Sequence, residues 1–402
     1  MKMLYAAVAA VALTPVAAMA GGSNSTASGT AANGMSWTAS STIVGQTSTG
    51  TVASGGSPTY LAPNTSGYSG VVGILTTYSN GSQYVCSGSL MTSGKILTAA
   101  HCVSDGYNRG QAGGVANGLI RTQVLFQNDA SSAADAAIYG LPAGVTAIDV
   151  NGYNVHIGYT GEVIDQNDIA LLSLSSAAPS FAQAYDIYTG GDLTGELFNV
   201  TGYGTRSIVG GAEGTTGPGE GAGSGRRRQG YNIYDYALGD DRFDGFFTDV
   251  VDGTNFFGTT AKVDYSYISD FDNGRVNNSQ SCLIAYADTG TVDNTLCFGA
   301  GASGLGAFEV SIAGGDSGGG SFIDGKIASV NSYSLSFGTG YGDYKAGLQS
   351  SWGELNGFVP TFIHADFING VPEPSTWAML ILGFGVVGGA MRRRGTAQVR
   401  FA

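Results

Sequence analysis

Short apolar runs separated by turn residues are the main pattern along the middle of this chain. Many of the runs are bounded by Gly, Asn, Ser or Asp, which favours strands joined by turns. Residues 352–367 indicate a final strand followed by a short helix. The pattern predicts a barrel or sandwich, with strands over Val71–Leu75, Tyr84–Cys86, Lys95–Thr98, Leu119–Phe126, Val145–Val150, Val155–Tyr159, Ile169–Leu174, Phe198–Gly202, Ala261–Tyr267, Gly306–Val310, Ser321–Phe322 and Ile327–Tyr333.

The pattern is different before residue 67. Residues 1–20 predict a secretory signal peptide, because Lys2 precedes the apolar run Met3–Leu13 and Ala18-Met19-Ala20 is a small-residue cleavage pattern. Residues 21–66 are rich in Ser, Thr, Gly and Ala and carry few large apolar side chains. Such a segment buries too little surface to offset its ordering entropy. We therefore expect a flexible leader or propeptide, followed by a folded domain over 67–368.

The C-terminal segment, residues 369–402, has a third pattern. Val371-Pro372-Glu373-Pro374 is followed by an apolar stretch over 377–391 and by Arg392-Arg393-Arg394. The stretch is shorter than the roughly 20 residues of a stable spanning helix, and its arginine cluster fits the positive-inside rule. This segment resembles the PEP-CTERM sorting signal of Gram-negative bacteria. The resemblance implies transient membrane retention, cleavage by an exosortase and delivery to the cell envelope, cell surface or extracellular matrix; a plain membrane anchor is the alternative.

Composition excludes some partners. Only 12% of the residues are charged, and the formal net charge is −13. An acidic surface repels phosphate backbones, so we expect no nucleic-acid partner. Export places Cys86, Cys102, Cys282 and Cys297 in an oxidising compartment, where an even number indicates two disulfides. Three pairings are possible, and pairing of near neighbours is the simplest.

The candidate chemistry centres on Gly314-Gly315-Asp316-Ser317-Gly318-Gly319. A serine held between glycines fits a nucleophile on a tight turn with free backbone N–H groups nearby, but it needs a base. His364 and His156 lie where packing or exposure accounts for them, which leaves His101 as the candidate base. Asp168 heads an apolar strand and requires a hydrogen-bonding partner there. The aspartates of 234–252 lack the spacing of a calcium-binding EF-hand loop, and we expect neither a metal nor another cofactor.

Three segments carry a family resemblance. Thr98-Ala99-Ala100-His101-Cys102, Asp168-Ile169-Ala170-Leu171-Leu172 and Gly315-Asp316-Ser317-Gly318-Gly319 resemble the signature segments of the chymotrypsin/trypsin-like serine proteases, in that family's order. The resemblance implies an all-β fold of two six-stranded antiparallel barrels, about 70–195 and 196–350, with the active site between them. It also implies disulfides between Cys86 and Cys102 and between Cys282 and Cys297.

The same resemblance implies roles for the candidate residues. Ser317 is the expected nucleophile, His101 the base and Asp168 the acid that orients it, while the N–H groups of Gly315 and Ser317 form the oxyanion hole. Ser332 and Ser334 fall on the strand expected to bind the substrate backbone, and Ser311 falls at the base of the primary specificity pocket.

Several positions depart from the family pattern. Ser311 is neutral, and Ser334 stands where the family usually has glycine, so we expect a small or medium apolar side chain before the cleaved bond rather than Arg or Lys. Ala313 and Gly320 replace the usual cysteine and proline, and the segment 205–275 is longer than expected.

Activation is also expected to follow the family. A new N-terminus would pair with Asp316, and Ile43-Val44-Gly45 is the one candidate segment for that terminus.

These features predict a secreted serine endopeptidase that acts as a monomer on protein or peptide substrates. The alternatives are a non-catalytic surface or matrix protein on a protease scaffold, and an esterase that uses the same three residues.

Overall fold

The structure is a computed structural model that describes residues 26–31, 35–40, 44–45, 67–111, 113–128, 138–206, 224–272, 276–290, 305, 309–348 and 350–370. Its strands are β1 (Thr26–Thr30), β2 (Ser36–Ser40), β3 (Val44–Gly45), β4 (Val71–Tyr78), β5 (Gln83–Leu90), β6 (Ile96–Thr98), β7 (Leu119–Gln127), β8 (Val145–Val155), β9 (Ala170–Leu174), β10 (Leu197–Gly202), β11 (Thr205–Arg206), β12 (Arg228–Ile233), β13 (Tyr236–Ala237), β14 (Tyr267–Phe271), β15 (Gly320–Ile323), β16 (Lys326–Ser336) and β17 (Glu354–Pro360). Its α-helices are α1 (Gln280–Thr289) and α2 (Ala365–Ile368).

Six strands close an antiparallel barrel in the order β4-β5-β6-β9-β8-β7. Apolar side chains that are almost completely buried fill its interior, among them Ile74, Leu97, Val124 and Leu171. Burial of each such side chain contributes about 1.5–3 kcal/mol relative to exposure. The barrel is the frame that brings the ends of β6 and β9 together.

The second unit is an open sheet in the part of the chain that is described. Its order is β12-β10-β15-β16-β17-β14-β13, and β2 adds to β16 and carries β1. The all-β prediction is therefore confirmed, with one closed six-stranded barrel and one open sheet beside it.

Several predicted elements differ in their bounds. Val155 ends β8 instead of opening a strand over 155–159, and β14 begins only where the predicted run 261–267 ends. Helix α1 was not predicted, because its sequence QSCLIAYADT lacks a regular apolar stripe. Its ends do carry local signals, since Ser279 precedes the helix and Gly290 follows it in the left-handed conformation with φ of 68°.

Part of the segment predicted to be a flexible leader is a hairpin. β1 and β2 pair in antiparallel register, with Thr26 opposite Ser40 and Thr30 opposite Ser36. Met35 and Trp37 are 4% and 5% exposed, so the hairpin buries two large apolar side chains. The domain boundaries of the chain stay predictions.

One predicted disulfide is confirmed and another cysteine is bonded. Cys86 is joined to Cys102, and Cys282 is also disulfide-bonded. Cys297, the predicted signal peptide over 1–20 and the sorting segment from residue 371 onwards lie outside the described residues. Within the stretches that are described, no helix is both long and apolar enough to cross a membrane.

Candidate functional site

Strand pairing places His101 beside Asp168. β6 and β9 are antiparallel neighbours, with Thr98 opposite Ala170. His101 follows β6 in a short 3-10 turn over Ala100–Cys102, and Asp168 immediately precedes the segment that becomes β9. The two side chains therefore emerge at the same end of the barrel, although 67 residues separate them in sequence.

The Asp168 carboxylate receives polar contacts from two parts of the chain. Its Oδ1 accepts from the His101 backbone N–H at 2.8 Å, and its Oδ2 lies 2.6 Å from His101 Nδ1. Ser332 Oγ on β16 donates to the same Oδ2 at 2.6 Å. Asp168 is 1% exposed, so these contacts provide the partners that a buried carboxylate requires. Ser332, predicted to contact the substrate backbone, thus also holds Asp168.

Ser317 lies in a glycine turn pressed against the barrel. Its carbonyl oxygen accepts from the Ser87 N–H at 2.8 Å and lies 3.6 Å from Cys102 Sγ, next to His101. Gly318 has φ of 82°, and a Cβ there would come within 2.5 Å of the Ser87 carbonyl oxygen. Only glycine fits this position, which explains the residue after the candidate nucleophile.

The atoms that would react are unpartnered. His101 Nε2 and Ser317 Oγ are both buried, and neither has a hydrogen-bond partner among the described residues, so no hydrogen bond joins them. The backbone N–H groups of Gly315 and Ser317 likewise have no acceptor in that part of the chain. A proton acceptor, a hydroxyl and two N–H donors are therefore free for a bound molecule around one turn.

The predicted pocket residues lie around Asn356 on β17. Ser311 Oγ donates to Asn356 Oδ1 at 2.8 Å, and that oxygen also accepts from the Ile312 N–H at 2.9 Å. Asn356 is directly opposite Ser334 in the sheet, and Ser311, Ser334 and Asn356 are all buried. These three side chains are neutral, and the remaining polar atoms also have partners, since Ser334 Oγ donates to the Ile312 carbonyl oxygen at 3.4 Å and Asn356 Nδ2 donates to Ser269 Oγ at 3.3 Å. Asn356 was missed because a single buried amide within a strand has no sequence signature.

Asp316 is buried without a cation. Its Oδ1 accepts a short hydrogen bond from the Gly204 N–H. Burial raises the pKa of this carboxyl to about 8, while the Gly204 hydrogen bond and the more distant Arg228 charge lower it. No ion pair involves Asp316 among the residues that are described. Strand β3 runs parallel to β11, with Val44 opposite Thr205, the residue that follows Gly204.

The other two histidines pack together away from this turn. Their ring centroids are 4.7 Å apart, and His364 Nε2 is 2.7 Å from the Gln166 carbonyl oxygen. Burial, with the neighbouring His156, lowers the pKa of His364 to about 4. This agrees with a packing role for both.

The described residues contain one grouping with metal-ligand spacing, Cys86, His101 and Cys102 within 4.8 Å. The two sulfur atoms are bonded to each other, so they are not thiolate ligands. In the aspartate-rich stretch, Asp240 pairs with Arg242 at 2.6 Å, whereas Asp235 is completely buried.

A group of buried carboxyl groups lies in the second sheet. Asp235 Oδ2 accepts from the Asp270 N–H and Glu309 Oε1 accepts from the Asp272 N–H, both at 2.7 Å. Burial and their mutual repulsion raise the pKa of Asp270 to about 8 and the pKa values of Asp235 and Glu309 well above their usual range. These groups are consequently most stable in the fold when protonated.

Comparison with known proteins gives two family matches. Residues 64–216 match the trypsin family, a range that includes His101 and Asp168 and ends before Ser317. Residues 370–394 match the PEP-CTERM protein-sorting motif, which implies an exported protein sorted to the cell envelope of a Gram-negative bacterium. A solved structure of HL collagenase is 16% identical, covers 78% of this chain and 98% of its own, and has a TM-score of 0.44. This chain therefore matches the trypsin family over residues 64–216 and the PEP-CTERM protein-sorting motif over residues 370–394.

Proposed function

We propose that this protein is an exported serine endopeptidase in which Ser317, His101 and Asp168 form the catalytic triad. The observation that carries the proposal is the buried contact of 2.6 Å between His101 Nδ1 and Asp168 Oδ2, together with unpartnered His101 Nε2 and Ser317 Oγ. The carboxylate fixes the tautomer that leaves Nε2 able to accept a proton. A serine hydroxyl needs such an acceptor to become a nucleophile at neutral pH.

The proposed reaction proceeds through an acyl-enzyme. Ser317 Oγ attacks the peptide carbonyl carbon while His101 Nε2 takes the hydroxyl proton, and the carbonyl oxygen becomes an oxyanion that accepts from the Gly315 and Ser317 N–H groups. The tetrahedral species collapses, the C–N bond breaks, and His101 gives its proton to the leaving amine. Water then attacks the ester, again with His101 as the base, and releases Ser317. Each oxyanion donor contributes about 3 kcal/mol to the transition state.

We propose that the enzyme prefers a small apolar side chain before the cleaved bond. The support is the neutral, hydrogen-bonded set of Ser311, Ser334 and Asn356, which offers no carboxylate to a lysine or arginine. We expect the Asn356 side chain, which lies opposite Ser334 and bonds to Ser311, to limit the length of the substrate side chain that the pocket accepts. Physiological substrates would be proteins or peptides met at the cell surface or in the extracellular matrix, and we expect the enzyme to act as a monomer.

We further propose that cleavage before Ile43 activates the enzyme. Asp316 is a buried carboxyl with one backbone donor and a raised pKa, which is the environment that a new α-ammonium group would relieve. Two observations support Ile43 as its source: Val44–Gly45 pairs with Thr205–Arg206, and Gly204 donates to Asp316. Ile43 itself lies outside the described residues.

The first prediction tests the nucleophile. Processed protein should react with a fluorophosphonate probe and cleave peptides, and Ser317→Ala should remove the labelling and lower kcat by about 10⁶-fold, since the triad acts as a unit. Ser336→Ala on β16 is a matched control, because Ser336 Oγ donates to Asp343 Oδ2 and contacts none of the three residues. Unchanged peptide cleavage by Ser317→Ala would refute the proposal, and hydrolysis of esters without peptides would favour an esterase.

A further inference from the structure

The strand that carries Ser332 is partly covered by the leader. On one edge, β16 pairs with β17, with Leu335 opposite Leu355. On its other edge it pairs with β15 as far as Val330, and Asn331 then exchanges hydrogen bonds with Gly318 and Gly319 beside Ser317. Beyond Ser332 and Tyr333, that same edge is occupied by β2, in which Ser40, Ala39 and Thr38 lie opposite Ser334, Leu335 and Ser336.

Ser332 and Ser334 of β16 lie on the strand that the family resemblance assigns to the substrate backbone, so the proposed peptidase would bind its substrate along this edge. A peptide that binds as an added strand needs the free N–H and C=O groups of the edge. Ser334 cannot pair with β2 and with a substrate at the same time, because one backbone edge accepts one neighbouring strand. The hairpin and an extended substrate therefore compete.

The hairpin is anchored by more than backbone pairing. Ala39 is completely buried, and the Trp37 ring packs edge-on against Phe257 with centroids 5.3 Å apart. Ala39 and Trp37 belong to an apolar cluster that includes Tyr333 and Leu335 of β16. A buried tryptophan of this kind is the type of residue that dominates binding energy at interfaces.

The leader also reaches the other flank of the candidate site. Three residues separate β2 from strand β3, and β3 pairs with β11. Thr205 of β11 donates to the Gly314 carbonyl oxygen at 2.8 Å, and Gly204 donates to Asp316. The segment that ends the hairpin thus connects the substrate edge of β16 to the turn that holds Ser317.

We propose that the hairpin β1–β2 is an intramolecular inhibitor of the peptidase, which covers the outer part of the substrate-binding edge until the leader is cut and the hairpin dissociates. The inference rests on the proposed function. The regulatory role of strands β1 and β2 is separate from the role of the new N-terminus. Cutting the leader creates the N-terminus, but β2 continues to cover β16 until the hairpin dissociates.

The test uses the full chain with a recognition sequence inserted so that a site-specific protease cuts immediately before Ile43. After the cut, the hairpin is held by non-covalent contacts alone. We expect activity to rise by about tenfold or more when the hairpin is removed by gel filtration. A synthetic peptide of residues 24–42 should then restore inhibition by raising KM without changing kcat, and the same peptide with Trp37→Ala should inhibit about tenfold more weakly.

A matched pair of variants separates docking from added charge. Ala39→Glu puts a carboxylate at the completely buried position, so its cut form should be fully active before gel filtration. Ser28→Glu adds the same charge at an exposed position of β1 and should behave like the parent. Circular dichroism before and after gel filtration reports whether the domain stays folded.

Three results would overturn the inference. If removal of the hairpin leaves KM and kcat unchanged, or unfolds the domain, the hairpin is a structural part of the enzyme and the peptidase proposal still stands. If Ala39→Glu and Ser28→Glu behave alike, docking at β16 does not control activity. If no cut form reacts with the fluorophosphonate probe, the proposed function fails and the inhibitory role falls with it.

Discussion

At the scale of single residues, Asp168 connects the two units of the fold. It accepts from His101 of the barrel and from Ser332 of the second sheet, through contacts of 2.6–2.8 Å. Contacts from both units restrict the orientation of the Asp168 carboxylate. This arrangement fixes the imidazole ring that the proposed reaction depends on.

Asn356 gives a prediction about specificity. Asn356→Gly removes the side chain that bonds to Ser311 and lies opposite Ser334, so the pocket should deepen. We expect kcat/KM for peptides with Phe or Leu before the cleaved bond to rise about tenfold relative to Ala, which corresponds to a gain of about 1.4 kcal/mol. Peptide-library profiling of Asn356→Gly and of the parent enzyme measures the shift. An unchanged profile would show that Asn356 does not line the pocket.

Asp316 gives a prediction about pH and stability. Its pKa is raised to about 8 in the fold, so the folded state binds more protons than the unfolded state between about pH 4 and pH 8. Stability is therefore lost as pH rises through this window. In the uncut chain, Asp316→Asn should raise Tm by several degrees at pH 8 and by less at pH 5.

Calorimetry at both pH values, in a Ser317→Ala background that prevents self-digestion, measures this difference. Asp324→Asn is a suitable control, because Asp324 is exposed. An equal change in Tm at both pH values would contradict the assignment of a raised pKa to Asp316.

The residues that sequence reasoning identified are those whose surroundings are encoded locally. His101 and Ser317 each lie in a short motif, and Gly318 is required by the close approach of Ser87. Asn356 and the contact from Ser332 to Asp168 could not be derived in this way, because each depends on strands that are distant in sequence. Pairing across a sheet brings such residues together, and no local pattern records the pairing.

At the scale of elements, the turn Ala100–Cys102 is held by β6 and by the Cys86–Cys102 disulfide. The bond links residues 16 apart, and a loop of about this length is stabilised by about 3 kcal/mol in the chain-entropy model. Cys86→Ala/Cys102→Ala should lower Tm by about 5 °C or more. It should also lower kcat in the fraction that stays folded, because His101 adjoins Cys102.

Cys282→Ala/Cys297→Ala is the matched control for that prediction. Cys282 lies in α1 of the second unit, so its loss should lower Tm without lowering kcat. Titration with the fluorophosphonate probe gives the active fraction of each variant. If both pairs lower kcat equally, the first disulfide has no special effect on His101.

The elements also show where sequence patterns fail. The strands of the first barrel were predicted nearly completely, because regular turns separate their apolar runs. The sequence does not predict the hairpin, because Met35 and Trp37 are the only large side chains among its buried residues and two such residues do not form an apolar pattern. Its position depends on the free edge of β16 and on the aromatic residues around Phe257, which the leader sequence alone does not reveal.

At the scale of the whole molecule, the buried carboxyl groups dominate the expected response to pH. The pKa of Asp270 is about 8, and that of Asp165 is raised to about 6 by burial, so both bind protons on folding. His364, with a pKa lowered to about 4, has the opposite effect below about pH 6.5. Because the acids outnumber it, Tm should be several degrees higher at pH 5.5 than at pH 8.

A Tm series from pH 5 to pH 8.5 in the Ser317→Ala background checks this expectation. Asp270→Asn should flatten the series, whereas the exposed Asp324→Asn should leave its slope unchanged. A Tm that increases steadily towards pH 8 would contradict the raised pKa values.

The short connection between β2 and β3 has a consequence for timing. A strand tethered by three residues meets its binding edge at a local concentration in the millimolar range, so even weak affinity keeps it bound. Once the tether is cut, the same contacts must resist dilution. A secreted molecule at nanomolar concentration would then lose a strand of micromolar affinity and could not recapture it. Release into a large volume, rather than the cut alone, would make activation irreversible.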